Sequence, residues 1–159
     1  MSDWRTEAQE LQNACSKVFF KGKCMFTDIR DAAELEPERR KYMAACYASL
    51  TRNGRFYHHN ERIYINVPEY AKMPLPKRIT LIYHEMIHQY NARHDIKDVD
   101  IIDGWQFHNA EFAKAVKQHR GKCLFVDDRI GNHDIELTTA DMREVKRLAT
   151  AEIAYLKML

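Results

Sequence analysis

Cysteine is scarce and scattered in this chain. Cys15, Cys24, Cys46 and Cys123 form no C-x-x-C pair, so a paired-cysteine motif is excluded. An even count permits disulfides, yet such wide spacing suits buried thiols in a reducing compartment better than a secreted framework. Glycine and proline are also few, 5 and 4 in 159 residues, against a linker-like or disordered chain. No apolar run approaches the roughly 18 residues of a membrane span. The opening MSDWRTEAQELQNACSK is polar and mixed in charge, without the apolar segment of a secretory signal. Neither sign of charge prevails: 25 Lys and Arg face 23 Asp and Glu, a formal +2. That is too little by itself to argue for nucleic-acid or membrane binding. What is present, 45% hydrophobic and 30% charged residues, is the material of one globular domain. The expectation is a single domain spanning 1–159, cytoplasmic, with no membrane segment.

Periodicity supplies an outline. Trp4, Leu11, Cys15 and Val18 share one helical stripe, which predicts an amphipathic helix over about residues 3–19. The charge-rich stretch from Asp28 to Lys41, with Pro37, reads as a loop or short helix. Ala44–Leu50 reads as a strand because the next segment, TRNGRFYHHNERIYINV, has the marks of strands joined by turns. It carries a turn signal at Asn53-Gly54, an aromatic run, a polar turn at His59-Asn60-Glu61 and the alternating RIYINV. Together these make a small antiparallel meander. Pro74 and Pro76 suit the entry to a helix from about Pro76 to Ala92. An acidic loop, HDIKDVDIIDG, precedes a second helix from near Phe107 to Gly121, and KCLFV is a short strand. Thr138 or Thr139 caps a last helix, with Met142, Val145, Leu148, Glu152, Ile153 and Leu156 along one stripe. One helix, a small sheet and three helices make an α+β arrangement.

The chemistry concentrates in LIYHEMIHQY, Leu81 to Tyr90. With His84 as origin on a helical wheel, His88 lies at about 40° and Glu85 at about 100°. Ile79, Ile82, Tyr83, Met86, Ile87 and Tyr90 fall on the far side, so the helix is expected to bury that face and present both imidazoles on the other. Histidines at i and i+4 can reach one zinc ion at about 2.0–2.1 Å, with room for a third ligand. Glu85 cannot easily share that ion. It can instead take a proton from a water whose pKa zinc lowers towards roughly 7, and return it to a leaving amine. H-E-x-x-H on a helix is therefore a pattern with a mechanism.

Two residues compete as third ligand. His94 completes His84-Glu85-x-x-His88-x-x-Asn91-x-x-His94, the metzincin spacing, with Asn91 at the position where metzincins turn on glycine. His108 lies in DGWQFHNAEF, beyond the acidic loop. TLIYHEMIHQY, that loop and then HNAEF resemble the SprT-like (Spartan-type) zinc metallopeptidases, as do AACYASL and RIYINVPEYAK before them. The likeness covers about Tyr42 to Arg120. It implies a zincin-like catalytic domain in minimal form, with one zinc held by His84, His88 and His108 and Glu85 as catalytic base. The family's usual glycine after the third histidine is Asn109 here.

The same resemblance implies proteins bound to DNA as substrates, and DNA–protein crosslink repair as the setting. The sequence adds two basic clusters: KVFFKGK, with Lys17, Lys21, Lys23, Phe19 and Phe20, and KAVKQHRGK, with Lys114, Lys117, Arg120 and Lys122. Such clusters can track a single-stranded backbone and stack its bases, and more often form a solvated face. The strand RIYINV is expected at a sheet edge, where an extended peptide would add as another strand. Asp100 and Asp103 read as loop acids or as supports for a zinc-bound histidine. His58, His59 and His133 read as surface residues, His119 as a cation closing a helix, and Trp105 and Phe107 as packing around the third ligand. The alternatives to a peptidase are a non-catalytic, zinc-stabilised binding module, which Cys123 could complete, and a zinc hydrolase of a non-protein substrate.

Overall fold

The computed structural model describes residues 3–22, 28–34, 44–50, 56–124 and 135–159. The turn expected at Asn53-Gly54, His133, Phe125 and Val126 of KCLFV and the side chains of His58, His59 and Trp105 lie outside the described residues. The architecture is α+β, and none of the described helices is long and apolar enough to cross a membrane.

Helix α1, Trp4–Phe19, starts where the Asp3 carboxylate accepts from the Arg5 amide. It buries Ala8, Leu11, Cys15 and Phe19 along the expected stripe. Strand β1, Asp28–Asp31, and a 3-10 turn at Ala32–Glu34 form the described part, residues 28–34, of the stretch expected as a loop or short helix. Ile29 is the buried residue of this strand, at 2% exposure, amid charged neighbours that mask the pattern. Strands β2, Ala44–Leu50, and β3, Phe56–Ile65, pair antiparallel, whereas β1 pairs parallel to β3. The sheet order is β1-β3-β2. Two expectations change. The sheet is mixed, not antiparallel throughout, and residues 59–61 continue β3 where a turn was expected. Arg62 to Ile65, most of RIYINV, consequently lie in the central strand with partners on both sides, and cannot serve as the open edge for a peptide.

Helix α2, Val67–Lys72, was not anticipated, although Asn66 caps it through the Glu69 amide and a proline occupies its first turn. Arg78 ties its end down, donating to the carbonyls of Tyr70 and Ala71 and to Glu7 of α1 at 2.8 Å. Helix α3, Leu75–Arg93, packs against β2, β3 and α1 through Ile79, Ile82, Tyr83, Met86 and Ile87, each at 1% exposure or less. Burying each such side chain contributes about 1.5–3 kcal/mol. The acidic stretch then forms a hairpin: β4, Val99–Ile102, pairs antiparallel with β5, Trp105–His108. Asp103 and Gly104 take φ of 51° and 80° at its tip, the conformation for which Asp-Gly is suited.

Helix α4, Ala110–Gln118, starts later than expected, so His108 belongs to a strand and Asn109 is the cap. Gly121 passes so close to α3 that an added Cβ would lie 2.7 Å from the Tyr83 hydroxyl. Short strands β6, Lys122–Cys123, and β7, Ile135–Glu136, pair before α5, Thr139–Met158, which Thr138 caps. Helix α5 packs on α1. Its buried positions are Asp141, Val145 and Ala149, with Met142 and Leu148 beside them. Glu152 and Leu156 are exposed, so the expected stripe holds only in the first half of the helix.

Candidate metal centre

His84 and His88 stand one turn apart on α3, with their Nε2 atoms 3.0 Å from each other. His108, the last residue of β5, brings its own Nε2 to 3.3 Å from that of His88. Two nitrogens each about 2.0–2.1 Å from one tetrahedral ion sit roughly 3.3 Å apart, so the three imidazoles are spaced to share an ion. Among the described residues this is the one group of His, Cys, Asp or Glu side chains close enough to hold a metal. All three donors are imidazoles, which suit zinc, copper, nickel or iron better than calcium or magnesium.

The packing around the rings is dense. Phe112, the fully buried anchor of α4, lies with its centroid 5.0, 4.9 and 4.4 Å from those of His84, His88 and His108. The histidine face of α3 was expected to be open. Instead His84 is 3% and Glu85 4% exposed, and Phe112 of α4 and His108 of β5 pack against the rings.

Glu85 Oε1 lies 3.8 Å from His84 Nε2, at the edge of the converging nitrogens. Burial pushes its carboxyl up to about 7, with the His88 charge opposing and Asp98 adding to the shift. Behind His88, its Nδ1 donates to Asp98 Oδ2 at 2.7 Å, and Asn91 Nδ2 donates to the same oxygen at 3.0 Å. Burial alone would lower the His88 pKa, but the charge and hydrogen bond of Asp98, with Glu85, leave it raised. Asp98 is held below the usual carboxylate range: burial opposes this, and His88, Asn91 and His108 outweigh it. With Nδ1–H committed to Asp98, neutral His88 turns its Nε2 lone pair towards the other two rings.

Asp98 was missed in the sequence, where Asp100 and Asp103 drew attention as supporting acids. Asp103 is exposed at the hairpin tip, and Asp100 accepts from Asn109 Nδ2 at 3.2 Å, away from the rings. The signal that could have located the support was Asp103-Gly104, which marks the hairpin and so sets the residue facing His108 across it: Val99, next to Asp98.

His94 is not of the group. It caps the C-terminus of α3, exposed, with Nδ1 2.8 Å from the Tyr90 carbonyl. Asn91 remains helical, so the turn of the metzincin arrangement is not made there. Asn109 has φ −108°, a conformation open to any residue, and its side chain accepts from the amides of Glu111 and Phe112. A glycine is not required at that position. His119 was read as a helix-closing cation. It is 9% exposed and its pKa is lowered, by burial first, with His94 and Lys21 adding and the Ala115 carbonyl opposing, so the neutral ring is favoured. Phe107 is half-buried. Cys123 is in no disulfide and does not belong to the histidine group.

No protein-family model, no curated protein and no solved structure matches this chain, so the functional reading rests on the site itself.

Proposed function

We propose that the chain is a zinc metalloendopeptidase, zincin-like and of the SprT-like type that its motifs resemble. The observation that carries this reading is the convergence of His84, His88 and His108 with Glu85 at its edge. Among the described residues the donors are three nitrogens and not four protein ligands, the donor count of a catalytic zinc site. A zinc ion held by these residues would supply a Lewis acid that makes a water acidic and polarises the scissile carbonyl.

The protein's own groups do the rest. Glu85, with a pKa raised to about 7, is matched to accept a proton from the attacking water near neutral pH and to deliver it to the departing amine. Its burial keeps that carboxylate from solvating itself fully, which strengthens its basicity. Asp98 holds the His88 ring, and Phe112 walls all three rings from below. A closed structural site has no use for a buried glutamate at this point. This favours the peptidase over a zinc-stabilised binding module.

Proteins on DNA as substrates rest on the resemblance. Phe19 and Phe20 are buried at 3% and 4% exposure, so neither can stack on bases. Lys114, Lys117 and Lys122 are exposed and leave an electrostatic contribution in place. The cytoplasmic setting likewise belongs to the proposal.

The test is zinc content by elemental analysis beside cleavage of an unfolded protein, with and without single-stranded DNA, for wild type and Glu85→Gln. One zinc per chain in both, with cleavage falling by about 10²–10⁴ in Glu85→Gln, is expected. Zinc without cleavage of any protein would overturn the peptidase, and a screen of amide and ester substrates would then locate the hydrolase. Absence of zinc after reconstitution would sink the metal site.

A further inference from the structure

The loop between α3 and β4 does more than connect them. Its start is pinned where Ile96 N donates to Asn91 O at 2.8 Å and Asp95 N donates to Ala92 O at 3.2 Å. Its end is pinned by Asp98, which is buried at 9% exposure and makes contacts in two directions. The carboxylate accepts from His88 and Asn91 on α3, at 2.7 and 3.0 Å. The backbone carbonyl accepts from the amide of Asn109, the residue after His108, at 3.0 Å. Asn109 Nδ2 adds a bond to the Lys97 carbonyl at 3.1 Å.

One residue thus joins the helix carrying two candidate ligands to the strand carrying the third. We propose that Asp98 is the positioning residue of the metal centre: its carboxylate fixes the His88 ring and tautomer, and its carbonyl fixes the strand end that presents His108 to α3. Asn91 and Asn109, which stand where the related motifs favour glycine, are the side chains that brace it. The inference rests on the metallopeptidase reading for the identity of the ion, and the arrangement of the rings stands apart from that reading.

A ring ligand free to rotate, or carrying its proton on the wrong nitrogen, must be reset at each binding event. A preset ring avoids that cost. Loss of such a supporting partner typically weakens metal binding 10–100-fold.

Two readouts separate this role from a general effect on folding. The first is zinc affinity, by competition with a chromophoric chelator, for wild type, Asp98→Asn and Asp98→Ala. The second is nitrogen NMR of the imidazoles in the metal-free proteins at alkaline pH, which reports the His88 tautomer. Asp98→Ala is expected to weaken zinc about 10–100-fold and release His88 from the Nδ1–H tautomer. Asp98→Asn keeps an acceptor and the shape of the side chain, so it should lose less and keep the tautomer; Asp98→Leu, of similar size and without an acceptor, replaces the alanine variant if that fails to fold. Affinity retained within about threefold in the variant without an acceptor, Ala or Leu, overturns the proposal, as does an unchanged His88 tautomer in that variant. If wild type binds no zinc, the metallopeptidase reading fails on its own account. The tautomer then decides whether Asp98 positions the ring.

Discussion

Among the described residues the histidines form two groups, and the same side chain does different work in each. His84, His88 and His108 turn their Nε2 atoms towards one another, with a carboxylate at Nδ1 of His88. His94 and His119 flank Tyr90, with ring centroids 4.2 and 4.3 Å from its own. Each of that pair caps the end of its helix and directs Nδ1 at a carbonyl four residues back, Tyr90 at 2.8 Å and Ala115 at 2.7 Å. Both helices then turn through a left-handed residue, Asp95 at φ 54° and Arg120 at φ 70°. The next amides, those of Ile96 and Gly121, bond back to Asn91 and Val116, the pattern of a Schellman ending. Helix-end histidines add a ring bond to carbonyls that their own amides also reach, at Tyr90 and Ala115. Those of the first group have no such task, because they sit within a helix or at the end of a strand.

The sharpest way to break this comparison is to exchange the two roles for metal. His108→Ala should weaken zinc binding more than about 100-fold, since losing a supporting partner alone costs 10–100-fold. His94→Ala should leave one zinc per chain. Zinc content by elemental analysis reads both, and loss at His94 with retention at His108 would invert the assignment. Next in size is the wall beneath the first group. Phe112→Ala should cost about 3–5 kcal/mol in urea unfolding, because it empties a fully buried site against three rings. Ile102→Ala, at a position 55% exposed on the hairpin, should change stability by less than about 0.5 kcal/mol.

The smallest effect lies in the pH response of the second group. The folded pKa of His119 is depressed from 6.5 by burial. Above pH 6.5 the ring is neutral in folded and unfolded chains alike and contributes no pH dependence. As pH falls below 6.5 the unfolded chain takes up the proton first, so stability is lost. The stability advantage of wild type over His119→Gln, followed by urea unfolding from pH 7.5 downwards, should therefore shrink as pH falls through 6.5. A constant difference would mean that the ring is protonated as easily in the fold as outside it.

Several elements were legible because their causes are local. The stripe of Leu11 and Cys15, the Thr138 cap and the helix entered through Pro74 and Pro76 each depend on residues within a turn or two. Strand β1 was not legible, because only Ile29 among Asp28, Arg30 and Asp31 is buried and its partner is β3, more than thirty positions along the chain. Residues 59–61 look like a polar turn by composition, yet the pairings with β2 to either side of them, at Tyr57 and Arg62, carry the strand through. In these places backbone pairing overrides side-chain preference.

The candidate site divides in the same way. Helical spacing by itself put His84 and His88 on one face with Glu85 beside them, since 3.6 residues per turn is a property of the backbone and not of its neighbours. The choice of His108 over His94 was decided by tertiary structure. It required α3 to continue through Asn91 and spend His94 on its own last carbonyls. It also required a hairpin, turned at Asp103-Gly104, to return the chain across twenty residues to within 3.3 Å of His88. Asp98 belongs to that second kind of information: its role arises only when the loop it ends is closed against the helix, a contact that no local spacing encodes.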